Sequence, residues 1–352
     1  MICSRVWLLP TTTVRSIHVA TLPFPSAQGT QGWLHASLSA LAKHGDATLL
    51  CYERADGTLN VPFEVQRAGG AKVGLRSGPS FEKVFADLAL GRRLRSLAKR
   101  YPDATIAAHN VEAAWLCRFV LGTRPWIYVA HTRMDTELPT YAHARLAPLL
   151  KPAGHVLDRV SATAPAIGAV SPALASHLGG LFLPVPWPIK SSSPRPSGPP
   201  TALYAGNLDG YQGIEALRAA SAVGYRLIVA TESSDSLEGI EVHRRLPLRT
   251  EEDRTRAHAM AHVALVPRRA EGGLPMKMLD ALARGVPVAT THVGLAGLRP
   301  AGAVARRSLV EALRALKHEA PSADAGREWM AANMNAERFV WAFDALVTSC
   351  EH

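Results

Sequence analysis

The chain has 352 residues, more than one hydrophobic core usually organises, and 47% of them are apolar, enough for two cores. No run is long and apolar enough for a membrane-spanning helix. The formal charge of +10 favours an anionic partner, while 6% aromatic content and the lack of zinc-finger spacing or an RNP-like strand argue against nucleic acid.

The four cysteines, Cys3, Cys51, Cys117 and Cys350, are scattered without paired spacing, which argues against a zinc site or a disulfide framework and for a reducing cytosol. Residues 1–15 contain too short an apolar run for a secretory signal and read as a disordered or mis-annotated extension.

Residues 17–21 read as a first parallel strand. A loop with Pro23, Pro25, Ser26 and Gly29 follows, then a helix with Trp33, Leu34, Leu38 and Leu41 at helical spacing that ends by Gly45. A second strand over 47–52 completes a βαβ unit. The glycines at 69, 70, 74 and 78 mark a loop. Residues 80–101 read as a helix with Val84, Leu88, Leu94 and Leu97 inward. Arg92, Arg93, Arg95, Lys99 and Arg100 crowd its second half. The helix dipole alone favours cations there, and an anionic lipid surface is the sharper alternative.

A strand over 105–109, a helix over 111–121 and a strand over 126–130 come next, placing His109 and His131 at strand carboxyl ends. In open α/β sheets the ligand crevice lies at those ends. A strand over 166–170 leads to Ser171 as a helix cap and Pro172 at the first helical position. The proline- and serine-dense stretch from Leu181 to Thr201 has the composition of a linker, and the domain boundary is set there.

The second half opens with a strand over 202–205 and the turn GNLDGYQG, residues 206–213. A strand over 226–231 and a helix over 250–261 follow. His262 is read as structural. Residues 262–267 suit a buried strand, and 286–290 suit another. Between them lie a turn, residues 270–273, and a helix starting at or just after Pro275 with Met276, Met278, Leu279, Leu282 and Ala283 apolar, stopped by Gly285. Gly272 and Gly273 leave bare N–H groups at a helix start, an arrangement suited to phosphate. Lys277 in the first turn opposes the dipole, which points to an anion unless the side chain faces solvent. Asp280 can turn toward the same place, where a carboxylate suits ribose hydroxyls, with Glu271 at the mouth. An ordinary strand-loop-helix unit accounts equally well for these features. The chain closes with a helix over 308–318 and one long helix over 326–348, whose Trp329, Met330, Met334, Phe339, Trp341, Phe343 and Leu346 are expected as interdomain core.

The run from Glu271 through Gly272, Gly273, Leu274 and Pro275 to Asp280, Gly285 and PVAT at 287–290 resembles the E-x7-E signature of bacterial family 4 retaining glycosyltransferases of the GT-B fold. The resemblance implies two Rossmann-like domains with parallel sheets facing a cleft and a last helix crossing back to the first. The corresponding division is 16–185 for the acceptor domain, 186–200 for the linker, 201–325 for the donor domain and 326–352 for the returning helix.

By the same resemblance His131 reaches the donor sugar, Glu271 contacts it, and Asp280 binds the ribose. Gly29, Asn207, Gln212, Gly272, Gly273, Leu274 and Lys277 line the donor, and His109, Asn110 and Glu112 face the acceptor. Two departures stand out. Eight residues, not seven, separate Glu271 from Asp280, and the family's GRLxxxKG diphosphate motif here has the neutral Asn207 and Gln212 in its cationic places. Lys277, Arg268 and Arg269 are the candidates to replace them.

The implied activity is retaining transfer from a nucleotide-diphosphate sugar to a glycan, lipid-linked or small-molecule acceptor, in glycan or glycolipid biosynthesis. The expectation is no metal and no cofactor, and a cytoplasmic protein with peripheral attachment to an anionic membrane as its sharper form. A non-catalytic partner of another transferase, a natural-product transferase and a nucleotide-sugar epimerase on the same fold remain alternatives.

Overall fold

The computed structural model describes residues 15–25, 29–53, 60–69, 81–141, 147–191, 196–209, 212–269, 271, 273–319 and 321–351. The first unit runs β1 (Ser16–Pro23), α1 (Gly29–Leu41), β2 (Ala47–Tyr52), β3 (Glu64–Arg67), α2 (Phe81–Arg100), β4 (Thr105–His109), α3 (Asn110–Leu121), β5 (Ile127–Ala130), α4 (Met134–Glu137), α5 (Ala147–Ser161), β6 (Ala166–Ala169), α6 (Pro172–Leu178) and β7 (Leu181–Phe182). Its seven strands are parallel, in the order β3-β2-β1-β4-β5-β6-β7. The central strands are buried along their length and mostly apolar because helices cover both faces.

The second unit runs β8 (Thr201–Ala205), α7 (Ala219–Ala222), β9 (Arg226–Ala230), β10 (Arg244–Leu246), α8 (Glu251–Ala259), β11 (Val263–Val266), α9 (Met276–Ala283), β12 (Val288–Thr291), β13 (Ala303–Arg306) and α10 (Leu309–Leu316). Its six strands are also parallel, in the order β10-β9-β8-β11-β12-β13. Then come α11 (Ala323–Asn333) and α12 (Ala336–Glu351), which returns to pack on β5, β6, β7 and α1 of the first sheet.

Helix ends follow local chemistry. The Ser171 hydroxyl accepts the Leu174 N–H at 3.3 Å, and Thr250 and Asp253 cap each other reciprocally at the start of α8. Gly285, at φ 75°, ends α9 in the left-handed conformation that favours glycine.

Three expectations need correction. The closing segment is two helices, because the Asn335 side chain accepts the Arg338 N–H at 2.9 Å and caps a new start. Trp341 is exposed, while Phe339, Phe343 and Leu346 are buried. On α2 the inward face is Ala86, Leu90, Leu94 and Leu97, leaving Val84 and Leu88 each 55% exposed. Two apolar stripes of four-residue spacing overlap there, and periodicity cannot choose between them. The helix α9 begins just after Pro275, its cap, within the expected start. The strands β3, β7, β10 and β13 and the helices α4 and α5 were not anticipated. β3 and β10 are polar edge strands, β7 is two residues long, and Pro152 interrupts the pattern of α5.

Candidate functional site

The two sheets bring their signature segments together at one junction. Gly273 lies so close to the carbonyl of His131, just past the end of β5, that a Cβ there would sit 1.9 Å from that oxygen. Gly29, at the start of α1, meets Met276 of α9 in the same way, with 3.4 Å between a built Cβ and Cγ. Glu271 faces the first unit too. Its carboxylate accepts from Arg133 Nη1 at 2.6 Å, and its carbonyl accepts from the Thr136 hydroxyl. Arg133 is in turn fixed by a two-pronged bond to Asp135, at 2.7 and 2.9 Å. Sequence reading missed Arg133, although the cation lies two residues beyond His131. Gly272 falls outside the described residues.

The loop after β8 is where the chain departs from the family motif, and here the tertiary fold supplies a cation. Lys277 reaches back from α9 to β8, donating to Gln212 Oε1 at 2.6 Å and to the Tyr204 hydroxyl at 3.1 Å. Its ammonium lies 4.3 Å from the centre of the Tyr204 ring. Gln212 Nε2 passes the chain on to Asn207 Oδ1 at 2.8 Å, and Asn207 donates to Asp209. Gly206, at φ 153°, lies beneath. A Cβ there would come 3.1 Å from Nζ. Enclosure by protein lowers the Lys277 pKa to about 7, with Arg268 adding to the shift and Asp209 opposing it. A cation held among neutral acceptors is a place where an anion gains most.

The two arginines named with Lys277 divide. Arg268 donates to the carbonyl of Gly273 at 2.6 Å, shaping the turn, while Arg269 pairs on the surface with Glu215 at 2.6 Å. Leu274 is buried beside the turn. Asp280 is buried and held by Arg284, whose Nε lies 3.2 Å from Oδ1. Arg284 also binds Glu251 and Thr255, at 2.6 and 2.9 Å. His258 Nε2 lies 3.9 Å from the other Asp280 oxygen, and burial keeps that histidine's pKa down. Arg284, one helical turn after Asp280, was legible as an i,i+4 partner and was overlooked.

On the first unit, His131 is 4% exposed and His109 fully buried. The two rings are bonded, His109 Nδ1 to His131 Nε2 at 3.0 Å. His109 thus does not open toward an acceptor as the family pattern implies. Asn110, the next residue, adopts φ 70°, and Glu112 is exposed on α3. Asp135, Asp158 and His177 form the one cluster with metal-ligand spacing among the described residues. Its two buried carboxylates already have partners, Arg133 for Asp135 and the N–H groups of Met134 and Asp135 for Asp158. A cavity of about 280 Å³ among Phe24, Phe63, Val65 and Arg67 lies on the first unit alone and includes none of these residues.

Solved structures share the fold over almost the whole chain. A sucrose-phosphate synthase from Thermosynechococcus elongatus superposes with a TM-score of 0.74 at 15% identity, covering 95% of this chain and 98% of its own. The Anabaena protein HepE, solved with UDP-glucose, gives 0.64 at 13% identity over 95% and 99% of the two chains. The fold is GT-B. AviGT4, a glycosyltransferase involved in avilamycin A biosynthesis, has the same GT-B arrangement, with a TM-score of 0.61 at 18% identity over 95% and 98%. In sequence, residues 199–317 match the family described as Glycosyl transferases group 1, a span reaching from just before β8 of the GT-B second domain to just past α10. No curated protein sequence matches the chain.

Proposed function

We propose that the chain transfers a sugar from a nucleoside-diphosphate sugar to an acceptor hydroxyl with retention of configuration, as family 4 glycosyltransferases do. The observation that carries this reading is the Lys277 ammonium, held against Gly206 where the family's diphosphate cations would stand. The diphosphate binds at Lys277 and the amides around Gly273. Asp280, braced by Arg284, receives the ribose through its second oxygen, and Glu271 and His131 meet the sugar. In the transfer the bond from the anomeric carbon to the diphosphate oxygen breaks. The acceptor oxygen then bonds that carbon from the same face, and its proton passes to the departing diphosphate oxygen. Charge gathers on the leaving group, so a fixed cation and oriented N–H groups do most of the catalysis, and no resident metal is required. Closure of the junction keeps water from competing.

Neutral Asn207 and Gln212 favour a non-catalytic partner protein as the second reading, and Lys277 is what weighs against it. A thermal-shift panel of nucleoside diphosphates and sugar nucleotides tests the proposal. One preferred nucleotide should raise Tm, by about 2.7 kcal/mol of stabilisation at a hundredfold excess over Kd. No shift with any of them removes the donor site. A shift without turnover on any acceptor selects the partner protein.

The acceptor is proposed to be presented at an anionic membrane. On α2, Val84, Leu88, Arg92, Arg95 and Lys99 follow one another at intervals of four, four, three and four residues and form one exposed stripe. Phe85, 67% exposed, flanks its apolar half. Asp87 bonds the hydroxyl of Tyr52 at the carboxyl end of β2, so the apolar half stands at the rim of the first sheet, where the crevice lies. Replacing Arg92, Arg95 and Lys99 by glutamine should weaken co-sedimentation with phosphatidylserine-rich vesicles by about 3 kcal/mol, roughly a hundredfold. Phe85→Ser with Leu88→Ser should weaken it independently of salt. Unchanged sedimentation of both variants would end the membrane reading.

A further inference from the structure

Three histidines lie on one face of the first sheet, on neighbouring strands. His18 of β1 is level with Ala107 of β4, and Ala20 with His109. His109 is level with Val129 of β5, and His131 follows two residues later. Side chains two apart share a face, so the three rings climb diagonally toward the carboxyl rim, two residues per strand. Trp33 of α1 covers His109 and His131 at ring distances of 5.6 and 4.9 Å, and Phe343 of α12 covers His18 at 5.4 Å.

The rings form an unbroken chain of hydrogen bonds. Ser16 Oγ lies 3.2 Å from His18 Nε2, His18 Nδ1 2.9 Å from His109 Nε2, and His109 Nδ1 3.0 Å from His131 Nε2. No carboxylate among the described residues joins them, and burial drives the pKa values of His18 and His131 down to about 3 and that of His109 well below its usual value. All three are therefore neutral, each with one N–H and one bare nitrogen. Such a chain has two polarities, with every proton pointing one way or every proton pointing the other.

Ser16 breaks the tie. Its side chain is buried, and His18 is the sole partner of its hydroxyl among the described residues. A buried O–H must donate to be satisfied, so it donates to His18 Nε2. That leaves His18 as Nδ1–H donating to His109, and His109 as Nδ1–H donating to His131 Nε2. His131 then carries its own proton on Nδ1, which has no protein partner among the described residues but is not one of their fully buried unpartnered atoms, so water or a substrate can accept from it.

We infer that Ser16, His18 and His109 are positioning residues that hold His131 in its Nδ1–H tautomer, so that it meets a substrate oxygen as a donor. His109 thereby serves the sugar side of the site through His131. A donor at that point stabilises an oxygen gaining negative charge, and each ring behind it polarises the next. The substrate role rests on the proposed transferase reading, whereas the tautomer does not.

Nitrogen NMR of the full chain labelled with 15N-histidine tests the inference, with the His131 signals assigned from a His131→Gln variant. The expected result is a protonated Nδ1 and a bare Nε2 on His131 in the native protein. In Ser16→Ala, Nε2–H should appear on His131, and Ser16→Thr should restore the native pattern. Ser16→Ala should also lower kcat severalfold at unchanged nucleoside-diphosphate affinity. His131 carrying its proton on Nε2 in the native protein overturns the inference, as does an unaltered tautomer in Ser16→Ala. These spectra read the tautomer even if no acceptor supports turnover, so failure of the transferase reading would be seen separately. His109→Phe breaks the chain at its centre, and Ser16→Ala serves as the milder variant if that one does not fold.

Discussion

Gly273→Ala is expected to lower kcat by about a hundredfold while each sheet stays folded and nucleotide affinity changes little. The backbone of Gly273 is not in the left-handed region, so alanine introduces no conformational strain. The cost is steric and falls on the partner surface, since the new Cβ would lie 1.9 Å from the carbonyl oxygen of His131. To reach an ordinary contact the junction must part by about 1.5 Å, and a misplacement of reacting groups by about 1 Å already costs about a hundredfold. The apolar cores flanking the junction are packed through other residues, notably Leu279 and Leu282 of α9, which share one core with the first unit, so Tm should move only slightly. A variant with native kcat would show that the turn and His131 do not work in contact.

Lys277→Met is expected to weaken nucleoside-diphosphate binding by about 10- to 100-fold, the worth of a charge-assisted hydrogen bond of about 1.5–3 kcal/mol. The double variant Lys277→Gln with Gln212→Lys exchanges the two ends of the 2.6 Å contact and should recover most of that affinity. Native-like binding by Lys277→Met would remove the residue from the site. The pH dependence provides an independent check. The folded-state pKa is lowered to about 7 from the ordinary 10.5, so between those values the unfolded chain holds a proton that the folded chain has released. Stability of the free protein contributed by this group therefore rises with pH across that window. A bound anion favours the ammonium, so nucleotide affinity should fall as pH climbs above about 7, and binding near pH 8 should take up protons. The diphosphate is already ionised there, since its last ionisation lies near pH 6, so the proton must come to the protein. Calorimetry in buffers of different ionisation enthalpy reads that uptake directly, and its absence in Lys277→Met completes the assignment.

The double occurrence of the βαβ pattern was open to sequence reading because a strand covered on both faces must be largely apolar, as 105–109 and 263–266 are, whatever lies beside it. The turn at Glu271 and the histidine closing β5 were likewise visible, one through glycine and proline chemistry and the other through its place at a strand end. The unit-by-unit order of elements, the caps at Ser171 and Thr250, and the proline-rich passage between the sheets are local properties too, fixed within a few residues. The side-chain partners were not. Lys277 meets Tyr204 across 73 positions, and His18 meets His109 across 91, because β11 pairs with β8 and β4 with β1. Strand order created those meetings, and no local period encodes it. The exposed stripe of α2 belongs to the same class, since two apolar faces fit its sequence and only the sheet it leans on chose between them. The residues by themselves determined which elements form and which chemistry they carry. The tertiary structure decided which charge reaches the neutral loop, and which proton His131 holds, because both depend on contacts that exist only after distant strands have been laid side by side.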